Sequence, residues 1–176
     1  IPISSFVLLG EYQIESEEPN PILWRVIENK SHYSGSVNPD VKHITLLAEY
    51  IIDLRGFDAE EPENELEFRA KYGNDRYSFS NLRQWLNSDK KANSWWKPQH
   101  ETDAEPTDEG FKTGKPTGYA DKDGFLNSFS SNEISLILDT TLECGINKNA
   151  DGGGTETVTD KVFLLSLTEV GLSEKE

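Results

Sequence analysis

The chain has 176 residues, 35% of them apolar and 10% aromatic, with a formal net charge of −15. That length supports a single domain with a core burying roughly 70% of the surface the unfolded chain exposes, without help from metals or disulfides. The charge repels nucleic acid and anionic membrane surfaces, whose binding depends on lysine and arginine meeting phosphate, and the five arginines (Arg25, Arg55, Arg69, Arg76, Arg83) are scattered. The single cysteine, Cys144, excludes an internal disulfide, and the longest apolar runs, Ile44–Ile52 and Val162–Leu167, fall well short of a membrane span. No leader pattern is legible, and the sequence holds no methionine even at position 1, so a targeting segment would lie outside it.

In chain order, Phe6–Ile14 reads as a strand broken at Gly10. Ile22–Glu28 is apolar on both faces apart from Arg25, which predicts a central strand; Pro19 and Pro21 hold the preceding residues in a turn. His32–Val41 is polar loop, and Ile44–Ile52 starts as a third strand. Asp58–Glu67 carries six acids and no base, the composition of a solvated loop or helix face.

Ser80 is a helix N-cap, with Leu82, Trp85 and Leu86 on one face and Asn87 at the end. Asn93–Thr117 is long and polar, yet contains Trp95-Trp96, which predicts a structured loop pinned by its indoles. Asp121–Gly124 is a turn into Phe125–Phe129. Ser130 and Glu133 have capping-box spacing, with Ile134, Ile137 and Leu138 as the buried face and Gly145 as the stop. Lys148–Asp160, with three consecutive glycines, reads as a loop. Lys161–Leu167 reads as a buried strand, and Ser166 with Glu169 repeats the capping-box spacing.

Few residues suggest chemistry. His32, His43 and His100 show no zinc-ligand spacing. His100 followed by Asp103 is the best acid–base pair, with His100 as base and Asp103 orienting it; the plainer reading is a loop histidine bonded to a neighbouring acid. Asp121 and Asp123 supply two hard oxygens for Ca²⁺, but Gly124 follows too soon for an EF-hand, and an Asp-Gly turn explains them equally. Trp95 and Trp96 offer faces for a sugar or peptide, or simply anchor the loop. Cys144 falls near an expected helix C-terminus, where the dipole disfavours a thiolate. Asn29-Lys30-Ser31 matches a glycosylation acceptor.

Several blocks act together: WRVIENK (24–30), ITLLAEYIIDLRGFD (44–58), YSFSNLRQWLNSD (77–89), WWKPQHETDAEP (95–106), DGFLNSFSSNEI (123–134) and DKVFLLSLTEVGL (160–172). They resemble an uncharacterised domain family of bacterial, mainly Gram-positive, and phage-related proteins. That family is similar in organisation to C-type-lectin-like folds, including the formylglycine-generating-enzyme group. The resemblance implies an α+β domain with short, mostly antiparallel strands, two main helices and a long structured loop, and it brings no catalytic set or cofactor. It also implies a continuation into further strands after the FLLS segment, so residues 1–176 are expected to form the N-terminal part of a longer domain. In isolation they should expose an apolar face, or fill it with a second chain.

The expected function is a non-catalytic binding module, extracellular or on a cell surface with a cytoplasmic site also open, presenting the Trp95–Asp123 region to a glycan or protein. The alternatives are a hydrolase of cell-wall or peptide substrates using His100 and Asp103, and a structural or assembly domain of a surface or phage protein.

Overall fold

The computed structural model describes residues 1–13, 18–29, 43–111, 117–167 and 169–170. His32 and the Lys30-Ser31 half of the glycosylation pattern lie outside them.

The fold is α+β. Strands β1 (Phe6–Tyr12), β2 (Asn20–Glu28) and β3 (Thr45–Ala48) form an antiparallel sheet in the order β1-β2-β3. The central strand is the one apolar on both faces: Ile22 and Val26 are buried on it. Its polar intrusion is paired, since Arg25 forms an ion pair with Glu49 just past β3 and lies over the Phe6 ring, 4.8 Å from its centroid.

The break at Gly10 is a bulge. The β1–β2 register slips between Leu8 and Glu11, and Gly10 has a φ of +68°, with a Cβ there falling 2.2 Å from the Phe129 ring. Only glycine fits both the backbone and the contact.

Among the described residues four short α-helices follow: α1 (Glu67–Tyr72), α2 (Asn81–Leu86), α3 (Ser131–Leu136) and α4 (Lys148–Asp151). The Ser80 hydroxyl accepts from the Arg83 amide and starts α2, and Asn87 ends it. Ser130 and Glu133 form the expected reciprocal box on α3. Glu133 has a second task that spacing does not disclose: its Oε1 accepts the Gly10 amide at 2.8 Å, pinning the β1 bulge to the helix start. Ser130→Ala is expected to lower stability by about 1 kcal/mol. Glu133→Ala also strands the Gly10 amide and should lower stability further than Ser130→Ala does, as read by denaturant unfolding.

The core is aromatic. Trp85, Trp95, Tyr119, Phe125 and Phe129 are buried, with Trp85 edge-on to Tyr119 and Phe125, and Trp95 stacked on Tyr119 at 5.6 Å. Trp85 Nε1 donates to the Asp123 carbonyl and Trp95 Nε1 to the Lys122 carbonyl, so both indoles bury their area without an unmet N–H.

Three expectations are corrected in the C-terminal third. The apolar spacing of Ile134, Ile137 and Leu138 does not prolong α3, which ends at Leu136, and Leu138 is exposed. Cys144 and Gly145 belong to a strand, β4 (Thr140–Gly145), paired with β5 (Thr155–Asp160) through the region read as loop; the three glycines, all at positive φ, make the turn between α4 and β5. Lys161–Leu167 is not a buried strand. Asn87 holds its start, with Oδ1 accepting the Lys161 and Val162 amides and Nδ2 donating to the Val162 carbonyl, but residues 163–166 carry no regular structure, and Leu164 and Leu167 are exposed. Apolar content supplies a face; it does not supply a neighbouring strand. Ser166 and Glu169 do make the reciprocal capping bonds expected of them.

Candidate functional site

The acidic run is not solvated where it matters. Asp58 and Glu61 are buried, and they organise the surrounding loops. Asp58 Oδ1 accepts the Asn81 amide at 3.0 Å, one of the free N–H groups at the start of α2, and Oδ2 accepts the Asn74 amide at 2.6 Å. The Asn81 side chain in turn accepts the Ala59 amide through Oδ1 at 2.8 Å.

Glu61, its side chain fully buried, accepts from Asn64 Nδ2 at 2.9 Å, Thr102 Oγ1 at 3.3 Å and Asn74 Nδ2 at 3.4 Å. The Nε2 atom of His100 lies 3.1 Å from Glu61 Oε1. The His100 ring packs on Phe79, 5.0 Å between centroids.

His100 is therefore oriented by Glu61, while Asp103 closes the turn that carries it. The Asp103 amide donates to the His100 carbonyl at 3.2 Å, and its Oδ2 accepts the Gln99 amide at 2.8 Å. Glu61, His100 and Asp103 each offer a donor atom within 4.8 Å of the others. Burial pushes the Asp58 carboxyl up to about 7, with Asp103 and Glu61 adding to the rise and the two backbone amides opposing it. Burial likewise raises the Asp103 carboxyl, against the Gln99 amide and His100.

The other sequence candidates do not join this cluster. Trp95 is spent in the core, and Trp96 is half-buried against it. Asp123 accepts Lys91 Nζ through Oδ2 and the Ala92 amide through Oδ1, which hold its carboxyl below the usual range, while Asp121 is exposed. Cys144 lies half-buried on β4, its thiol raised by burial and by Asp160 and Glu156. Glu61 and Asp58 are the residues the sequence hid. The only local signal was their nearness to Asn64, Asn74 and Asn81, whose roles depend on distant pairing.

A second feature is larger. An open groove of about 890 Å³ runs beside β3, floored by core residues such as Trp85 and Phe125 and walled by the 50–55 segment, the end of α3 and residues 161–165. Its walls leave Tyr50 72%, Ile51 89%, Leu54 71% and Leu136 72% exposed, which is unusual for clustered large apolar side chains. Residues of all three strands line it, Val7 and Leu9 of β1, Trp24 of β2 and the whole of β3, and among the described residues β3 pairs only with β2. His100 and Asp103 do not line it.

The fold is thus that of a small α+β domain with a buried polar cluster and an open apolar flank. Residues 42–176 match the model of a family described as a domain of unknown function (DUF6273), and the chain belongs to that family. Neither a curated relative nor a solved structure matches it. Among the described residues no helix is long and apolar enough to cross a membrane.

Proposed function

We propose that this chain is a non-catalytic binding module of lectin-like organisation whose ligand is an extended polypeptide segment. The observation that supports this reading is the apolar groove lined by β3, a strand that pairs only with β2 among the described residues. A strand edge offers main-chain donors and acceptors to another extended chain, and flanking pockets take its alternate side chains.

The chemistry selects among occupants. A glycan needs polar partners, and these walls are dominated by Leu, Ile, Val and Phe. A second copy brings another −15 charge, which opposes self-association. The ligand that fits is an extended segment with apolar side chains toward the groove and cationic ones outward. The Trp95–Asp123 face is the weaker candidate, because Trp95 is committed to the core and Asp123 to Lys91.

The test is calorimetric titration with a peptide of alternating valine and lysine, against the same peptide N-methylated at alternate residues in either phase. Binding that is lost on N-methylation in one phase is expected. Absence of binding, or equal binding by both methylated forms, would overturn edge pairing. A concentration-dependent dimer in sedimentation would replace the foreign segment by a second copy.

A further inference from the structure

The groove leaves the buried polar cluster unexplained. Three carboxylates converge there, Asp58 and Glu61 buried and Asp103 half-buried. Among the described residues no lysine or arginine forms an ion pair with any of them; the one basic partner is His100. Buried like charges require a compensating cation, whether a proton, an imidazolium or a metal ion. Two atoms in this cluster are shielded from water with no hydrogen-bond partner, His100 Nδ1 and Asp103 Oδ1.

We propose that Glu61, His100 and Asp103 form a binding site for a divalent zinc-class metal ion. The donor set is one imidazole nitrogen with carboxylate oxygens, a mixture Zn²⁺ accepts in four-coordinate sites with water completing the shell. Ca²⁺ is a poorer fit, since it takes six to eight oxygens and no imidazole. Tetrahedral bonds of about 2.0–2.2 Å place two ligand atoms about 3.3–3.6 Å apart. His100 Nε2 stands 3.1 Å from both Glu61 Oε1 and the Asn74 side-chain nitrogen, and the full triad lies within 4.8 Å, so an ion would take the place of the Asn74–His100 contact and draw Asp103 in.

The outer contacts are in place as well. Asn64, Asn74 and Thr102 hold the Glu61 carboxylate, and the Gln99 amide holds Asp103. Such second contacts fix ligand orientation and tune affinity. The three donors come from the 58–67 run and the Gln99–Asp103 turn, so an ion would clamp the long polar loop to the segment before α1.

The experiment is titration of the 176-residue chain with Co²⁺, which reports four-coordinate geometry through intense visible absorption, followed by displacement with Zn²⁺. One ion per chain, visible bands and their loss on adding Zn²⁺ are expected. His100→Gln should abolish the bands. Asp103→Asn, at a half-buried position that tolerates the change sterically, should weaken Co²⁺ by about tenfold or more. Far-ultraviolet circular dichroism checks that both variants fold; should His100→Gln not fold, the Asp103→Asn titration and the unmodified chain decide. Overturning results are absence of visible bands in the unmodified chain, or several weak ions whose binding is unchanged in the folded variants, which would assign the metal to the acidic surface.

Discussion

Replacing Arg83 with methionine is expected to destabilise the fold by about 3–5 kcal/mol, because it leaves the buried Asp160 carboxylate without its cation. Asp160 ends β5 with its side chain 2% exposed. Arg83 Nε lies 3.0 Å from both of its oxygens, a second guanidinium nitrogen lies 2.9 Å from Oδ1, and a third donates to the Ser78 carbonyl at 3.1 Å. Methionine keeps the length and the apolar stem of the side chain and removes all of these donors. Urea unfolding reads the loss. Adding Asp160→Leu to Arg83→Met should restore most of the stability, since the cost lies in the unpaired charge and not in the missing pair. A loss below 1 kcal/mol in the single variant would mean that Asp160 hydrates or protonates readily.

Arg83 does not act alone. Arg69 pairs with Asp151 on α4, Arg76 pairs with Glu156 on β5 at 2.7 Å, and Arg83 pairs with Asp160. Three arginines at seven-residue intervals fasten the C-terminal hairpin unit to the middle of the chain. In a protein with almost twice as many acids as bases, cations are the scarce partner, and all five arginines are engaged with an acid. Read as sequence they look scattered; their order appears only once β5 is in place.

The same contrast governs what was legible. Ser80 and Ser130 were readable because a cap is settled within four residues by hydrogen-bond chemistry. The central position of β2 was readable because burial on both faces writes a continuous apolar run. Trp95 as a loop anchor followed from the cost of exposing an indole. By contrast, β4 and β5 pair through Thr-rich, half-polar faces, Thr140–Gly145 against Thr155–Asp160, and leave little hydrophobic alternation to detect. Leu164 and its neighbours show the converse error, an apolar run without a described strand beside it. Asp58 and Glu61 were hidden most completely. Nothing in an acidic run distinguishes a carboxylate that meets the Asn74 and Asn81 amides from one that meets water. The candidate site was therefore half visible: His100 and Asp103 from local spacing, and the carboxylate that actually holds the imidazole only from the fold.

Buried Asp58 makes stability depend on pH in an unusual direction. Asp58 holds its proton up to about pH 7 in the folded chain, whereas an unfolded aspartate loses it near pH 3.9. Between about pH 4 and 7 the folded state therefore binds more protons than the unfolded one, so stability falls as pH rises through this window and levels off above it. A shift of about three units corresponds to about 4 kcal/mol across the window. The Asp103 carboxyl, also raised, acts in the same sense. Glu133 and Glu156, whose carboxyls are lowered chiefly by Ser130 and Arg76, act oppositely: they add stability as pH rises toward the ordinary carboxylate range. Maximum stability is expected near pH 4–5. Falling net charge on acidification also stabilises a chain this acidic, with the same sign, so the decisive comparison is between the parent and Asp58→Asn. Asparagine loses part of the Asn74 and Asn81 bonding and lowers stability at acid pH, but it cannot titrate. Urea unfolding from pH 4.5 to 8, with chelator present, should show the parent falling and the variant nearly flat. Parallel curves would assign the fall to surface repulsion and place Asp58 among the ionised, amide-stabilised carboxylates.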